Sequence, residues 1–140
     1  MKAIPPVQGK FRVTSGFGWR KHPITGKRKL HTGADLVGTD KVEQIIAPED
    51  GTVLEARKST APGGGYGYFV KYKGKSGFTH LVAHLVEDSI KVKPGQKVKQ
   101  SDVLGIMGTT GASTGVHLHW EVRWGIKPTD PMKWLVKVNS

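Results

Sequence analysis

The chain has no cysteine among its 140 residues. That excludes disulfides and thiolate zinc sites, so any metal here is held by histidine, aspartate or glutamate. No apolar run approaches the roughly 18 residues of a membrane span, which excludes a membrane-crossing helix. The opening Met1-Lys2-Ala3-Ile4-Pro5-Pro6-Val7-Gln8-Gly9 lacks the apolar stretch of about 7–15 residues that a signal peptide needs. Acidic residues are scarce, 11 against 22 lysines and arginines, for a formal net charge of +11. The bases are scattered, as Lys27-Arg28-Lys29, Arg57-Lys58 and Lys91, Lys93, Lys97 and Lys99. Charge therefore points to an anionic partner without choosing one. With no recognition helix, base-stacking aromatic pair or cysteine finger, nucleic acid is not the expected partner.

Glycine at 19 and proline at 8 favour short strands joined by tight turns. The length predicts one domain over residues 1–140, with its core over about 11–135. Residues 11–15 read as a strand, Gly16-Phe17-Gly18 as a turn and residues 19–40 as a loop. Residues 44–47 and 52–57 read as strands, and 61–65 as a flexible turn. Residues 68–72 and 78–85 form a hairpin around Gly74-Lys75-Ser76-Gly77. Strict alternation in its second strand sets Phe78, His80, Val82 and His84 on one face, and Thr79, Leu81, Ala83 and Leu85 on the other. A second turn falls at Pro94-Gly95, a buried strand at 103–107, and a tail at 128–140 with one helical turn near 131–135. The spacing predicts an all-β, mainly antiparallel sandwich or half-barrel with long loops and little helix.

One stretch organises the rest. Val116-His117-Leu118-His119-Trp120-Glu121-Val122-Arg123-Trp124 alternates without a break. His117, His119, Glu121 and Arg123 share one strand face, and Leu118, Trp120, Val122 and Trp124 the other. The apolar face suits a core, whereas the polar row costs stability if buried without partners. Upstream, His31-Thr32-Gly33-Ala34-Asp35 sets a histidine and an aspartate on one tight loop, where Gly33 lets the backbone curl. A hydrolytic zinc site needs three protein ligands and one open position. His31, Asp35 and His119 supply such a set. Hydrolysis also needs a proton carrier and a donor for the developing oxyanion. His117, beside His119, and His84, on a neighbouring strand, suit those two roles.

His31-x-x-x-Asp35, Ala83-His84-Leu85 and His117-x-His119 occur here together with three further segments. These are Ser15-Gly16-Phe17-Gly18-Trp19-Arg20, His22-Pro23-Ile24-Thr25-Gly26 and Gly111-Ala112-Ser113-Thr114-Gly115. In this order and context, from about residue 15 to 131, the chain resembles the M23 (lysostaphin/LytM-like) zinc endopeptidases. The resemblance implies a lysostaphin-like fold and hydrolysis of peptide bonds in peptidoglycan cross-bridges or stem peptides. It implies one Zn2+ per chain on His31, Asp35 and His119, with His84 and His117 as the catalytic histidines. All five are present, which implies an active enzyme. Val82 stands where the family often has tyrosine, and the turn after residues 68–72 is shortened and lacks a histidine often found there. Both departures concern the groove wall.

The expected partners are peptidoglycan and, through charge, anionic wall polymers, met by a monomer acting outside the cell. With no leader in the sequence, the expected routes to the wall are release by lysis, a place in a virion as a phage lysin, or excision from a longer secreted protein.

Other residues carry weaker signals. His22 is expected to line the groove, and His80, on the face of His84, to back the ligands. Glu121 either orients a ligand histidine or pairs with Arg123 or Arg20. Trp120, Trp124 and Trp134 are expected to pack, and Tyr66 and Tyr68 to flank a groove or pack in a turn. The alternative function is a zinc-binding but non-hydrolytic wall-binding module. Ile46-Ala47-Pro48-Glu49-Asp50-Gly51-Thr52-Val53 and Val92-Lys93-Pro94-Gly95-Gln96-Lys97-Val98-Lys99 are also similar to the half-barrel repeats of biotinyl and lipoyl carriers. Met107 is followed by Gly108 and not by the lysine that such carriers modify. The carrier function is excluded, and the barrel-like architecture stands.

Overall fold

The computed structural model of the chain describes residues 2–21, 25–38, 44–113 and 115–140. Glycine and proline punctuate its alternating apolar segments into short strands. In order these are β1 (Phe11–Ser15), β2 (Gly18–Lys21), β3 (Arg28–His31), β4 (Ala34–Gly38), β5 (Gln44–Ile46) and β6 (Gly51–Lys58). Then follow β7 (Tyr68–Gly74), β8 (Thr79–Leu85), β9 (Lys97–Val98), β10 (Val103–Ile106), β11 (Leu118–Trp124) and β12 (Lys127–Thr129), and helix α1 (Pro131–Val138) closes the chain.

One large sheet runs in the order β1-β4-β11-β8-β7-β6-β9, with β12 also pairing with β11. Two small sheets, β10-β5 and β2-β3, complete the fold, and the described strand pairs are antiparallel. The core lies on one face of the large sheet. Leu36, Val53, Val70, Tyr72, Val82, Leu118, Trp120 and Val122 pack there with Ile45 of β5 and Leu104 of β10. Among the described residues, the opposite face carries a small cluster of Phe69, Leu81 and Ala83 under Tyr66. It is the face left open for a site.

The all-β, half-barrel expectation holds, and the two carrier-like segments do meet, with Gly51 opposite Val98 and Thr52 opposite Lys97. Three details differ. The expected loop over residues 19–40 contains the β2–β3 hairpin and β4, because Trp19 pairs with Leu30 and Arg20 with Lys29 across it. The single helical turn near 131–135 is the longer helix α1. Asp130 caps it by accepting from the N–H groups of Met132 and Lys133, Pro131 starts it, and Trp134 anchors it in the core. His80 and His84 do not share a face. His84 has a left-handed backbone (φ 65) and the β7–β8 register slips beside it, so alternation breaks before the strand ends.

Candidate active site

The site is built on the open face where β4, β11 and β8 lie side by side. Asp35 of β4 stands directly opposite His119 of β11, and Ala83 of β8 faces His119 from the other side. Opposed residues in an antiparallel pair bring their side chains together, and here Asp35 Oδ1 lies 3.0 Å from His119 Nδ1. His31, the last residue of β3, places Nε2 3.3 Å from the same oxygen. Thr32 and Gly33 link the two strands. Gly33 serves by absence of bulk, since a Cβ there would lie 2.4 Å from the Trp120 carbonyl oxygen. That close approach, not a curled loop, is why this position takes glycine.

One atom from each of His31, Asp35 and His119 lies within 4.8 Å of the others. The remaining ring nitrogens are committed elsewhere. His31 Nδ1 lies 2.8 Å from the Gly16 carbonyl, and His119 Nε2 2.8 Å from Glu121 Oε2. With those bonds donated outward, Nε2 of His31 and Nδ1 of His119 are the ring atoms turned toward Asp35, a His2Asp set that fits zinc. Each histidine is only 8% exposed.

Glu121 is the hub behind this set. It is fully buried. Its Oε2 accepts from His119, from the Thr32 hydroxyl at 2.8 Å and from the Tyr66 hydroxyl at 2.7 Å. Its Oε1 accepts from Arg123 Nε at 2.7 Å and Nη2 at 2.5 Å. Arg123 Nη2 also reaches the Tyr66 hydroxyl at 3.0 Å. Burial alone would raise the Glu121 carboxyl, but His119, Tyr66 and Arg123 hold it down to about 2. Burial and Glu121 push the Tyr66 phenol up to about 12, so it stays a donor. Burial would lower His119, yet the carboxylates of Asp35 and Glu121 raise it to about 9. Burial opposes and His119, His31 and His117 outweigh it in holding Asp35 below its ordinary value. Without metal, His119 is thus a cation between two anions, and a metal held by Nδ1 would take the place of its proton.

The expected catalytic histidines stand beside this set. Their ring centroids are 4.9 Å apart. His117 Nδ1 lies 2.9 Å from the Gly115 carbonyl and Nε2 3.7 Å from Asp35 Oδ1. His84 Nδ1 lies 2.7 Å from the Thr110 carbonyl, and burial lowers its pKa despite that bond. The bulge at His84 is what turns it toward His117 and away from the core. All five side chains line one cleft of about 460 Å³, which Tyr66 also borders.

Two expectations about neighbouring residues change. His80 does not back the ligands. It is fully buried on the core face, with Nε2 2.7 Å from Glu49 Oε2 and Nδ1 accepting from Trp120 Nε1 at 3.2 Å. Glu121 combines two of its readings, bonding both His119 and Arg123, whereas Arg20 bonds the Ser15 hydroxyl. Trp120 and Trp134 are core residues, and the exposed Trp124 packs on Phe78 at 4.8 Å between ring centroids. His22 lies outside the described residues. The sequence does not reveal Thr32 as a partner of Glu121, because the bond joins residues 89 positions apart, nor the carbonyls of Gly16, Thr110 and Gly115, because a backbone acceptor leaves no mark on residue type.

Residues 29–131 match the model of peptidase family M23. A peptidoglycan DD-endopeptidase of Vibrio cholerae, ShyB, is 37% identical over 130 residues, 91% of this chain and 29% of its own. An uncharacterised metalloprotease of Haemophilus influenzae is 34% identical over 128 residues, 91% of this chain and 26% of its own. The chain therefore spans under a third of these relatives. Among solved structures, a zinc-containing peptidase from Vibrio cholerae superposes with a TM-score of 0.79 at 35% identity, over 94% of this chain and 40% of that one. The catalytic domain of lysostaphin from Staphylococcus simulans gives 0.74 at 27% identity, over 90% and 92%. With its antiparallel fold and its convergent histidines and aspartate, the chain belongs to the metallopeptidases of family M23.

Proposed function

We propose that this chain is a zinc-dependent endopeptidase domain that cuts peptide cross-links in bacterial peptidoglycan. The observation that carries the reading is the approach of His31 Nε2 and His119 Nδ1 to a single oxygen of Asp35, at 3.3 and 3.0 Å, with the His84–His117 pair alongside. Relatives named peptidoglycan DD-endopeptidases supply the substrate class. Zinc held by His31, Asp35 and His119 supplies Lewis acidity toward the peptide carbonyl and toward water.

The chain's own residues do the rest. Glu121 and the Gly16 carbonyl fix the two ligand rings so that the correct nitrogen faces Asp35. His84 and His117 each anchor Nδ1–H on a backbone carbonyl, which leaves Nε2 as the atom that exchanges a proton with water, oxyanion or leaving amine. Tyr66 walls the cleft beside them. The net charge of +11 holds the domain on an anionic wall, so activity falls as salt rises. Its place of action on this reading is the cell wall. The test is loss of turbidity of purified walls by the zinc-loaded protein. Lysis that stops with a chelator and returns with zinc supports the reading. Binding to walls without release of peptides would replace it with the non-hydrolytic module.

A further inference from the structure

Beyond Tyr66, the cleft continues into a second cavity of about 490 Å³ that shares Tyr66 and Gly65 with it. Its apolar floor is Phe69 and Leu81, neighbours in the small cluster on the open face of the sheet. Three cations border it, Arg57, Lys71 and Arg123, against one carboxylate, Glu55. Arg123 is matched by Glu121 beneath it. Arg57 and Lys71 have only Glu55 between them, with Arg57 Nη2 at 2.9 Å from Oε1 and Lys71 Nζ at 3.9 Å from Oε2. One cation is thus in excess at the mouth. The guanidinium of Arg57 is also seated over the Phe69 ring at 5.1 Å, which fixes its position. Arg123 Nη1 makes no bond to the described residues, since its Nε and Nη2 are the atoms engaged.

We infer that this cavity is a subsite for a free carboxylate of the peptidoglycan stem peptide, bound between Lys71 and Arg57 with the adjoining chain on Phe69 and Leu81. The inference rests on the endopeptidase reading and adds a specificity to it, namely preference for acidic cross-linked stems over uncharged bridges. Glu55 marks the position, because its own carboxylate lies against both cations, and a ligand carboxylate binds by taking its place at Lys71, the longer of its two ion pairs. A ligand carboxylate there meets a loosely paired ammonium and a guanidinium held in place, the combination that gives charge-assisted bonds.

The test uses a cross-linked dimeric muropeptide in two forms, with stem carboxylates free and with them amidated. Affinity is read by calorimetry on His117→Ala, and cleavage on the zinc-loaded wild type by mass spectrometry. The free-acid dimer is expected to bind about tenfold tighter, the effect of one charge-assisted bond, and to be cut with a correspondingly lower KM. Arg57→Gln with Lys71→Gln, and separately Lys71→Glu, are expected to erase that ratio. Equal affinity for the two dimers, or a ratio that survives in both variants, overturns the subsite while leaving the endopeptidase reading intact. Wild type that cuts neither dimer overturns the endopeptidase reading and the subsite with it.

Discussion

Asp35 and His119 face one another across the antiparallel β4–β11 pair, with Oδ1 and Nδ1 3.0 Å apart and His31 Nε2 3.3 Å from the same oxygen. The proposed metal set therefore rests on the β4–β11 register, with His31 brought in from the end of β3 through the Thr32–Gly33 link. His84 and His117 lie beside it with their Nδ1 atoms held by backbone carbonyls. Replacing a ligand and replacing a proton carrier must then give different outcomes. His31→Ala, Asp35→Ala and His119→Ala are expected to lose bound zinc and activity together. His84→Ala and His117→Ala are expected to keep about one zinc per chain and lose turnover by at least ~100-fold. Metal content by plasma mass spectrometry, alongside wall turbidity, separates the groups. Equal metal loss in all five variants would remove the division of roles.

Glu121 sets the orientation of His119 from a fully buried position, accepting from His119, Thr32, Tyr66 and Arg123 at once. A glutamine there offers only one accepting oxygen and places an amide N–H among four donors. Glu121→Gln is expected to weaken zinc binding about 10–100-fold, the usual effect of losing a carboxylate behind a ligand histidine. Tyr66→Phe removes one donor and keeps the carboxylate, so its effect on zinc is smaller. Competition with a graded chelator measures both. Unchanged affinity in Glu121→Gln would mean that the hydrogen bond does not position the ring.

The polar row His119, Glu121 and Arg123 is legible because an unbroken strand alternates its side chains, and β11 is such a strand from Leu118 to Trp124, one residue short of the expected His117, which stands just before it. The same rule misplaced His84, because a left-handed residue and a slipped register reset the alternation, and neither is encoded by a glycine at that point. It also set His80 with the site, although a wholly buried β8 has two inward faces and His80 lies on the core side with Glu49. Glu49 falls in the gap between the expected strands 44–47 and 52–57. Its role depends on a contact 31 positions away in sequence, which local pattern does not reveal. The β2–β3 hairpin does not read as strands because its basic, glycine- and proline-containing sequence lacks an apolar face, and its residues are largely exposed.

Gly33 lies between the proposed ligands of β3 and β4, and its Cα packs against the β11 backbone. A Cβ there would sit 2.4 Å from Trp120 O and 3.0 Å from Glu121 Cγ. Neither neighbour is the free end of a flexible chain, so the strands must separate. Gly33→Ala is expected to cost about 1–3 kcal/mol, as overpacking does, and to weaken zinc binding by spreading Asp35 from His119. Chemical denaturation of the zinc-free variant and chelator competition check the two effects. A variant as stable as wild type would show that β11 gives way without cost.

His80 is neutral by geometry. Trp120 Nε1–H can only donate, so His80 Nδ1 must accept, and the ring proton sits on Nε2 and goes to Glu49 Oε2. Around the ring stand Tyr72, Trp120 and Trp134, so Glu49 is the one charged group described against it. Burial lowers the His80 pKa below its ordinary 6.5, and Glu49 only partly offsets this. Burial would raise Glu49, but His80 and Ser76 together hold it below 4.5. Both groups bind protons more readily when unfolded, so both make stability rise with pH. For His80 the loss begins as pH falls below 6.5, where the unfolded chain takes up the proton and the folded one resists. For Glu49 the contribution is complete above 4.5 and is lost as pH falls through its lower folded value. Urea unfolding of the zinc-free wild type is expected to show lower stability at pH 5 than at pH 7. His80→Gln, at a cost of about 1–3 kcal/mol at pH 7 for the disturbed buried bonds, is expected to lose less between the same two values. Parallel loss in the variant would assign the acid sensitivity to His84, whose pKa burial also lowers, since His119, raised to about 9, favours the folded state toward acid.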